Sequence, residues 1–151
     1  MRVVFAAAFA VALLAPPAHA QTAADSAAIR AAALDYIDGY WEGSGERMER
    51  ALHPELAKRI VRTSPSGQSG LQQMSAMTLV LITRAGGGRS VPAAQHRSDV
   101  RILDIYGNAA SVRIDANLWV DYLHLAKWNG QWKIVNVLWE TPPQPAAAPG
   151  R

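Results

Sequence analysis

Asp121 has the clearest chemical potential of any residue in this 151-residue chain. Trp119, Leu123 and Leu125 share its alternation, so it stands on the apolar face of an expected strand. Burial there disfavours the charged form of a carboxylate and raises its pKa toward the range useful for proton transfer. The same place suits a structural carboxylate satisfied by a helix terminus or a tyrosine hydroxyl, and both readings stay open. Asn136 is expected diagonally across a hairpin on the same face, a neutral donor and acceptor within reach of the same ligand. Tyr36 and Tyr40 lie four residues apart on one helical face. A phenol inside an apolar cavity can polarise a carbonyl, or can be only the polar tip of a core aromatic. His53 precedes Pro54 at an expected helix end, where it can cap, bind or shuttle protons.

Other chemistry finds no footing. There is no cysteine, which removes thiol catalysis, cysteine-based zinc sites and iron–sulfur clusters. His53, His96 and His124 lack ligand spacing, so no metal is expected. The run Gly86, Gly87, Gly88, Arg89 lacks the strand-before, helix-after setting of a phosphate loop and reads as linker, with a flexible stretch to His96. No catalytic signature of the nucleophile-elbow or zinc-protease kind occurs, and no cofactor is expected.

The elements that must position these residues follow from periodicity. Thr22 to Asp25 opens a helix whose stripe is Ile29, Ala33, Tyr36/Ile37 and Tyr40/Trp41, ended by Gly43 to Gly45. Glu46 to Leu52 predicts a short second helix, and Pro54 opens a helical, turn-rich segment through Val61. Ser69 to Gln72 matches a capping box, predicting a helix with Leu71, Met74, Thr78 and Leu81/Ile82 on one face. From Asp99 the period becomes two, and strands are expected at 99–106, 109–116, 119–128 and 131–139. Gly107-Asn108 and Asn129-Gly130 are two-residue hairpin turns, and Asn117-Leu118 is taken as the middle one. Helices first and a meander afterwards describe an α+β domain.

Register arithmetic from those turns sets two faces. The inner one holds Leu103, Ile105, Ala110, Val112, Ile114, Trp119, Leu123, Leu125, Trp132, Ile134 and Leu138, with Asp121 and Asn136 among them. The outer face is charged at one end and carries Tyr122, His124, Val135, Val137 and Trp139 at the other, a patch that suggests a dimer interface.

Residues 1–20 read as a signal peptide: Arg2, an apolar run to Leu14, and a small-residue cleavage site ending at Ala20. The expected address is therefore exported, periplasmic or secreted, with no membrane insertion after cleavage. Residues 21–140 form the expected domain, and 141–151 a Pro- and Ala-rich disordered tail. The net charge is +3, or +2 without Arg2, and the basic residues are scattered, which argues against nucleic acid as a partner.

Three segments carry a resemblance: YIDGYWEG at 36–43, LHPELAKR at 52–59 and WVDYLHLAKWNGQWKIVN at 119–136. With the element order, they resemble the nuclear transport factor 2-like superfamily, and within it the "Putative lumazine-binding" branch that overlaps the SnoaL-like polyketide cyclase group. The resemblance covers about residues 25–140. It implies a cone-shaped, cystatin-like fold with N-terminal helices on a curved antiparallel sheet of four or more strands, and dimerisation through the open sheet face. It places Tyr36 where the steroid isomerases of the superfamily have their oxyanion tyrosine, and their general-base aspartate near Ile60, where this chain has no carboxylate.

Three functions compete on these grounds. The first is an exported, homodimeric protein that binds a small apolar or aromatic molecule in a pocket lined by Tyr36, Tyr40, Trp41, His53, Met74, Trp119, Asp121 and Asn136. The second is an isomerase, cyclase or dehydratase with Asp121 as base and Tyr36 or His53 as acid or electrophile. The third is a structural or assembly module whose pocket is closed by its own side chains.

Overall fold

The computed structural model describes residues 23–143, so the signal-peptide reading and residues 144–151 of the expected tail lie outside the described residues. Two helices come first, α1 (Ala23–Glu42) and α2 (Gly45–Ala51). The strands β1 (Leu52–Thr63) and β2 (Ser69–Ser75) precede α3 (Ala76–Arg84). A meander completes the domain: β3 (Asp99–Tyr106), β4 (Ala109–Asp115), β5 (Val120–Trp128) and β6 (Gln131–Glu140). All six strands join one sheet in the order β2-β1-β6-β5-β4-β3. β1 runs parallel to β6, and every other pair is antiparallel.

The helix α1 ends where the glycines predict. Gly43 takes φ +68°, and the Ser44 N–H closes the turn on the Gly39 carbonyl at 2.8 Å. Ser44 then caps α2 by accepting from the Arg47 N–H. Arg47 ties the two helices together, reaching Asp35, Asp38 and Glu42. A hydrogen bond from Arg50, partly opposed by burial, holds the Asp35 carboxyl below its usual pKa.

The segment expected to be helical from Pro54 to Val61 is instead the middle of β1. Glu, Leu, Ala, Lys and Arg are good helix formers, but Leu56, Lys58 and Ile60 alternate inward, and two neighbouring strands supply the backbone partners. Pro54 falls where the β1–β6 register breaks between Leu52 and Ala57, a place where its missing N–H costs no ladder bond. The capping box at Ser69 is likewise overturned. Ser69 to Ser75 is strand, and the helix begins seven residues later, capped by Ser75 on the Thr78 N–H. Leu71 is consequently exposed on the sheet, and α3 buries Leu79, Val80 and Thr83.

The meander follows the expected limits within two residues, and all three turns are where the sequence puts them. The middle turn pairs Ile114 with Asp121 and Val112 with Leu123. Two bulges then alter the faces. In β3 the extra residue is Leu103: Ile102 pairs with Val112, and Leu103 turns outward. In β6 it is Val135: Leu125 faces Ile134 as expected, but His124 faces Asn136 and Asp121 faces Trp139. Because side chains alternate, one extra residue exchanges the faces of everything beyond it. Val137 and Trp139 therefore turn inward, whereas Asn136 and Leu138 turn outward, the reverse of the sequence arithmetic.

The Gly86 to Gly88 run is no loose linker. Two short 3-10 turns follow, 88–90 and 93–95, and the first of them folds back against α1. A Cβ at Gly88 would lie 2.1 Å from the Tyr40 carbonyl oxygen, and Arg89 donates to the Glu42 carbonyl at 2.7 Å. Substitution at Gly88 must push α1 away from the segment. Gly88→Ala is expected to lower stability by at least about 1–3 kcal/mol, the usual range for overpacking, read as a shift in the urea midpoint.

Candidate functional site

Asp121 is fully buried, as its place on β5 requires, and it is not alone. Lys58 reaches it from β1, with Nζ 2.6 Å from Oδ1, and is itself only 6% exposed. The other carboxylate oxygen, Oδ2, accepts from the Trp119 indole N–H at 2.7 Å and from the Tyr36 hydroxyl at 3.2 Å. Lys58 also donates to the Tyr36 oxygen at 2.6 Å, closing a ring of three side chains. One residue comes from α1, one from β1 and one from β5, so the ring ties the helix to the sheet across two strands. Of the two readings of this carboxylate, the one satisfied by a tyrosine hydroxyl is what the structure shows, with the Lys58 cation and the Trp119 indole as further donors.

The Tyr36 hydroxyl is held well above the ordinary tyrosine pKa, first by burial and then by the neighbouring Asp121 charge and hydrogen bond. It is a neutral phenol throughout the physiological range. Tyr40 is raised as well, by burial.

A cavity of about 160 Å³ opens in front of this ring. Tyr36, Ile37 and Tyr40 of α1 form one wall, and Met74, Leu79 and Ile82 another. Lys58, Trp119 and Trp139 form the sheet side, with Met48 of α2 beneath. The Lys58 ammonium lies over three rings, 5.0 Å from the centre of Trp139, 5.3 Å from Tyr36 and 5.9 Å from Trp119. Contacts of this kind partly compensate a cation for lost water.

Of the eight residues expected to line the pocket, four do: Tyr36, Tyr40, Met74 and Trp119. Asp121 sits behind the wall, its oxygens taken by Lys58, Trp119 and Tyr36. Trp41 is packed behind Trp119, stacks on His96 at 4.4 Å and donates to the Arg97 carbonyl. His53 is elsewhere, edge-on to Trp128 at 4.8 Å, with Nδ1 accepting the Glu55 N–H. Asn136 is on the opposite face, where Arg59 donates to its Oδ1 and its amide meets His124 Nδ1. Two residues assigned to a dimer patch belong inside: Val137 is fully buried in the core, and Trp139 lines the cavity. Lys58 and Trp139 are the additions that matter. The alternation Leu56, Lys58, Ile60 was the available signal for Lys58, hidden under a helical reading of the segment.

The comparisons with known proteins agree with this architecture. The family model described as "Putative lumazine-binding" matches residues 24–140. The chain belongs to that family. None of the curated proteins matches it. Solved structures show the fold: a nuclear transport factor 2-like protein of unknown function from Shewanella baltica OS155 is 21% identical, with TM-score 0.60 over 80% of this chain and 96% of that one. One from Silicibacter pomeroyi DSS-3, also of unknown function, is 16% identical, with TM-score 0.59 over 78% and 95%. A third, from Novosphingobium aromaticivorans, is described as having a cystatin-like fold and is 11% identical, with TM-score 0.58 over 82% and 85%. The fold is thus nuclear transport factor 2-like and cystatin-like, α+β with a six-stranded mixed sheet.

Within this member of the "Putative lumazine-binding" family, the position near which the isomerase resemblance expects a base is apolar: Ile60 is 1% exposed. The polar side chain facing inward beside it, two residues earlier, is the cation Lys58. Among the described residues no helix is long and apolar enough to cross a membrane.

Two predictions follow from the ring. Removing one member of a buried pair leaves the other charge uncompensated, so Lys58→Met should cost about 3–5 kcal/mol. The double variant Lys58→Met/Asp121→Asn should recover much of that loss. Urea unfolding of the wild type, both single variants and the double variant measures the coupling, and simple additivity would show that the pair is not a unit. The second concerns alkali. Tyr36 has a folded pKa above its unfolded value near 10, so its contribution is whole below about pH 10 and is lost as pH rises beyond it. Tyr36→Phe should therefore lose less stability than wild type between about pH 9 and pH 11, as read from urea midpoints at both.

Proposed function

We propose that this is an exported small-molecule-binding protein whose cavity takes a planar, mainly apolar ligand, and that it works as a homodimer. The observation that carries the ligand reading is the cavity itself, about 160 Å³ of mostly apolar space with a charged side chain in its wall. A volume near 150 Å³ accommodates a benzene-sized ring. Ile82, 39% exposed, stands at the lip, so a somewhat larger flat molecule fits by extending past it. The description of the family by lumazine, a flat heterocycle, supports the same class.

The dimer reading rests on the outer sheet face, corrected for the β6 bulge. Leu71 pairs with Val61 and Leu138 with Tyr122, giving an exposed apolar row across β2, β1, β6 and β5. Tyr122, His124 and Val135 keep their place in this patch, while Val137 and Trp139 leave it. A self-complementary contact between two such rows is the simplest closed arrangement.

The enzymatic alternative keeps an electrophile and loses its base. Lys58 presents a donor to the cavity, but the Tyr36 hydroxyl gives its proton to Asp121, which is sealed behind the wall and engaged by three partners. A module with a closed pocket is supported less, since the space is open.

Native mass spectrometry of the protein purified gently from its exported compartment tests the proposal. A dimer with a reproducible small-molecule adduct is expected. A monomer overturns the dimer reading, and an adduct-free species that takes up no aromatic probe overturns the binding reading.

A further inference from the structure

A chain of polar side chains crosses the outer sheet face, and each link fixes the next. Arg59 of β1 donates from Nε to Gln73 Oε1 of β2 at 2.9 Å, and from Nη1 to Asn136 Oδ1 of β6 at 2.9 Å. A guanidinium has donors and no acceptor, so it holds the Asn136 amide with its oxygen toward Arg59. The amide nitrogen is thereby turned to β5, where it meets His124 Nδ1 at 3.1 Å. Nδ1 is therefore the acceptor, and the proton of the neutral imidazole sits on Nε2. Gln73, Arg59, Asn136 and His124 each stand two residues from Leu71, Val61, Leu138 and Tyr122, on the same strands. The polar chain thus runs beside the exposed apolar row, on the same face.

A second proton on His124 goes to Nδ1, the position already facing a donor. The Asn136 amide cannot turn over to offer its oxygen, because its nitrogen would then face Arg59. On a free monomer, water takes the place of the lost bond. In a dimer closed over this face, unmatched donors are costly. The surroundings decide whether anything compensates. On β4, Ser111 stands directly opposite His124, with Arg113 diagonal to it. On β3, Asp104 faces Ser111, and both share a shallow depression with His124, Tyr106 and Val135. On β6, Lys133 is turned away to the Arg50 carbonyl. The added charge is thus set among Arg59, Arg113 and a single carboxylate, Asp104, which lies two strands away.

We propose that His124 is a proton-sensitive lock of the dimer: neutral, it completes the chain from Gln73, and protonated, it opposes Asn136 and loosens the association. This rests on the dimer reading above and names how that contact is regulated. A group that must shed a proton to associate weakens binding by up to about tenfold per pH unit on the acid side, and a two-fold dimer has two such groups.

Sedimentation velocity over a concentration series, at about pH 7.5 and about pH 5.5 and one ionic strength, spans the range in which histidine changes charge. The dimer dissociation constant is expected to be at least about tenfold larger at the lower pH. His124→Asn puts an amide oxygen where Nδ1 stands, an acceptor that does not take a proton, and should dimerise equally at both. Asn136→Asp accepts from Arg59 and from a protonated His124 together, and should also remove the acid weakening. Nitrogen NMR of His124 at the higher pH should show the Nε2-protonated tautomer, and the other tautomer overturns the chain. A dimer as strong or stronger in acid, or weakening that survives in His124→Asn, overturns this inference and leaves the dimer reading intact. A monomer at both pH values overturns the dimer reading and this inference with it.

Discussion

An ammonium and a carboxylate moved together out of water each lose several kcal/mol of hydration, and proximity alone does not return it. Lys58 and Asp121 persist at this depth because neighbouring elements supply what the pair lacks. Trp119, at the start of β5, gives the second carboxylate oxygen a donor, and α1 lowers Tyr36 between the two charges. β6, lying between β1 and β5, brings the Trp139 ring beside the cation. Without α1 both charges lose the Tyr36 hydroxyl, and a one-residue slip of β6 takes the Trp139 ring from the cation. The ion pair therefore constrains the placement of the helix and the register of three strands together.

That constraint also explains how a small domain keeps open space beside its core. A charged group that needs specific partners cannot be covered by whatever side chain collapses on it. Tyr36 and Trp119 are held by their polar ends, so their rings stand as walls, while the aliphatic groups opposite belong to β2 and α3. The result combines a stiff polar floor with an apolar surround, the usual composition of a ligand site. With Asp121 at this depth, the charged side chain in the cavity wall is that of Lys58, a nitrogen donor.

The two faces of the sheet are connected through the Val135 bulge. One inserted residue brings Trp139 to the cavity and sends Leu138 out beside Tyr122, so the same irregularity furnishes part of the ligand wall and part of the exposed apolar row. Bulges at such places act as devices for re-aiming side chains.

Local chemistry made much of the molecule legible. Gly43, Gly107, Asn117 and Asn129-Gly130 mark chain reversals that local backbone preference sets, and the spacing of Ile29, Ala33, Tyr36 and Ile37 marks the buried side of α1. Asp121 and Tyr36 could be singled out because a polar group within an apolar period is visible in one dimension. The bulges were not legible: the run Val135, Asn136, Val137, Leu138, Trp139 is largely apolar at both parities, so hydrophobic pattern cannot say which set faces inward. Nor was β1, whose residues favour a helix and become a strand only because β2 and β6 stand on either side to accept their hydrogen bonds. Lys58 entered the site by that route. Sequence alone determined the turns, the helix stripe and the buried carboxylate, all products of interactions over a few residues. The cation facing that carboxylate, 63 residues away, and the face presented by Trp139 were decided only by strand pairing in three dimensions.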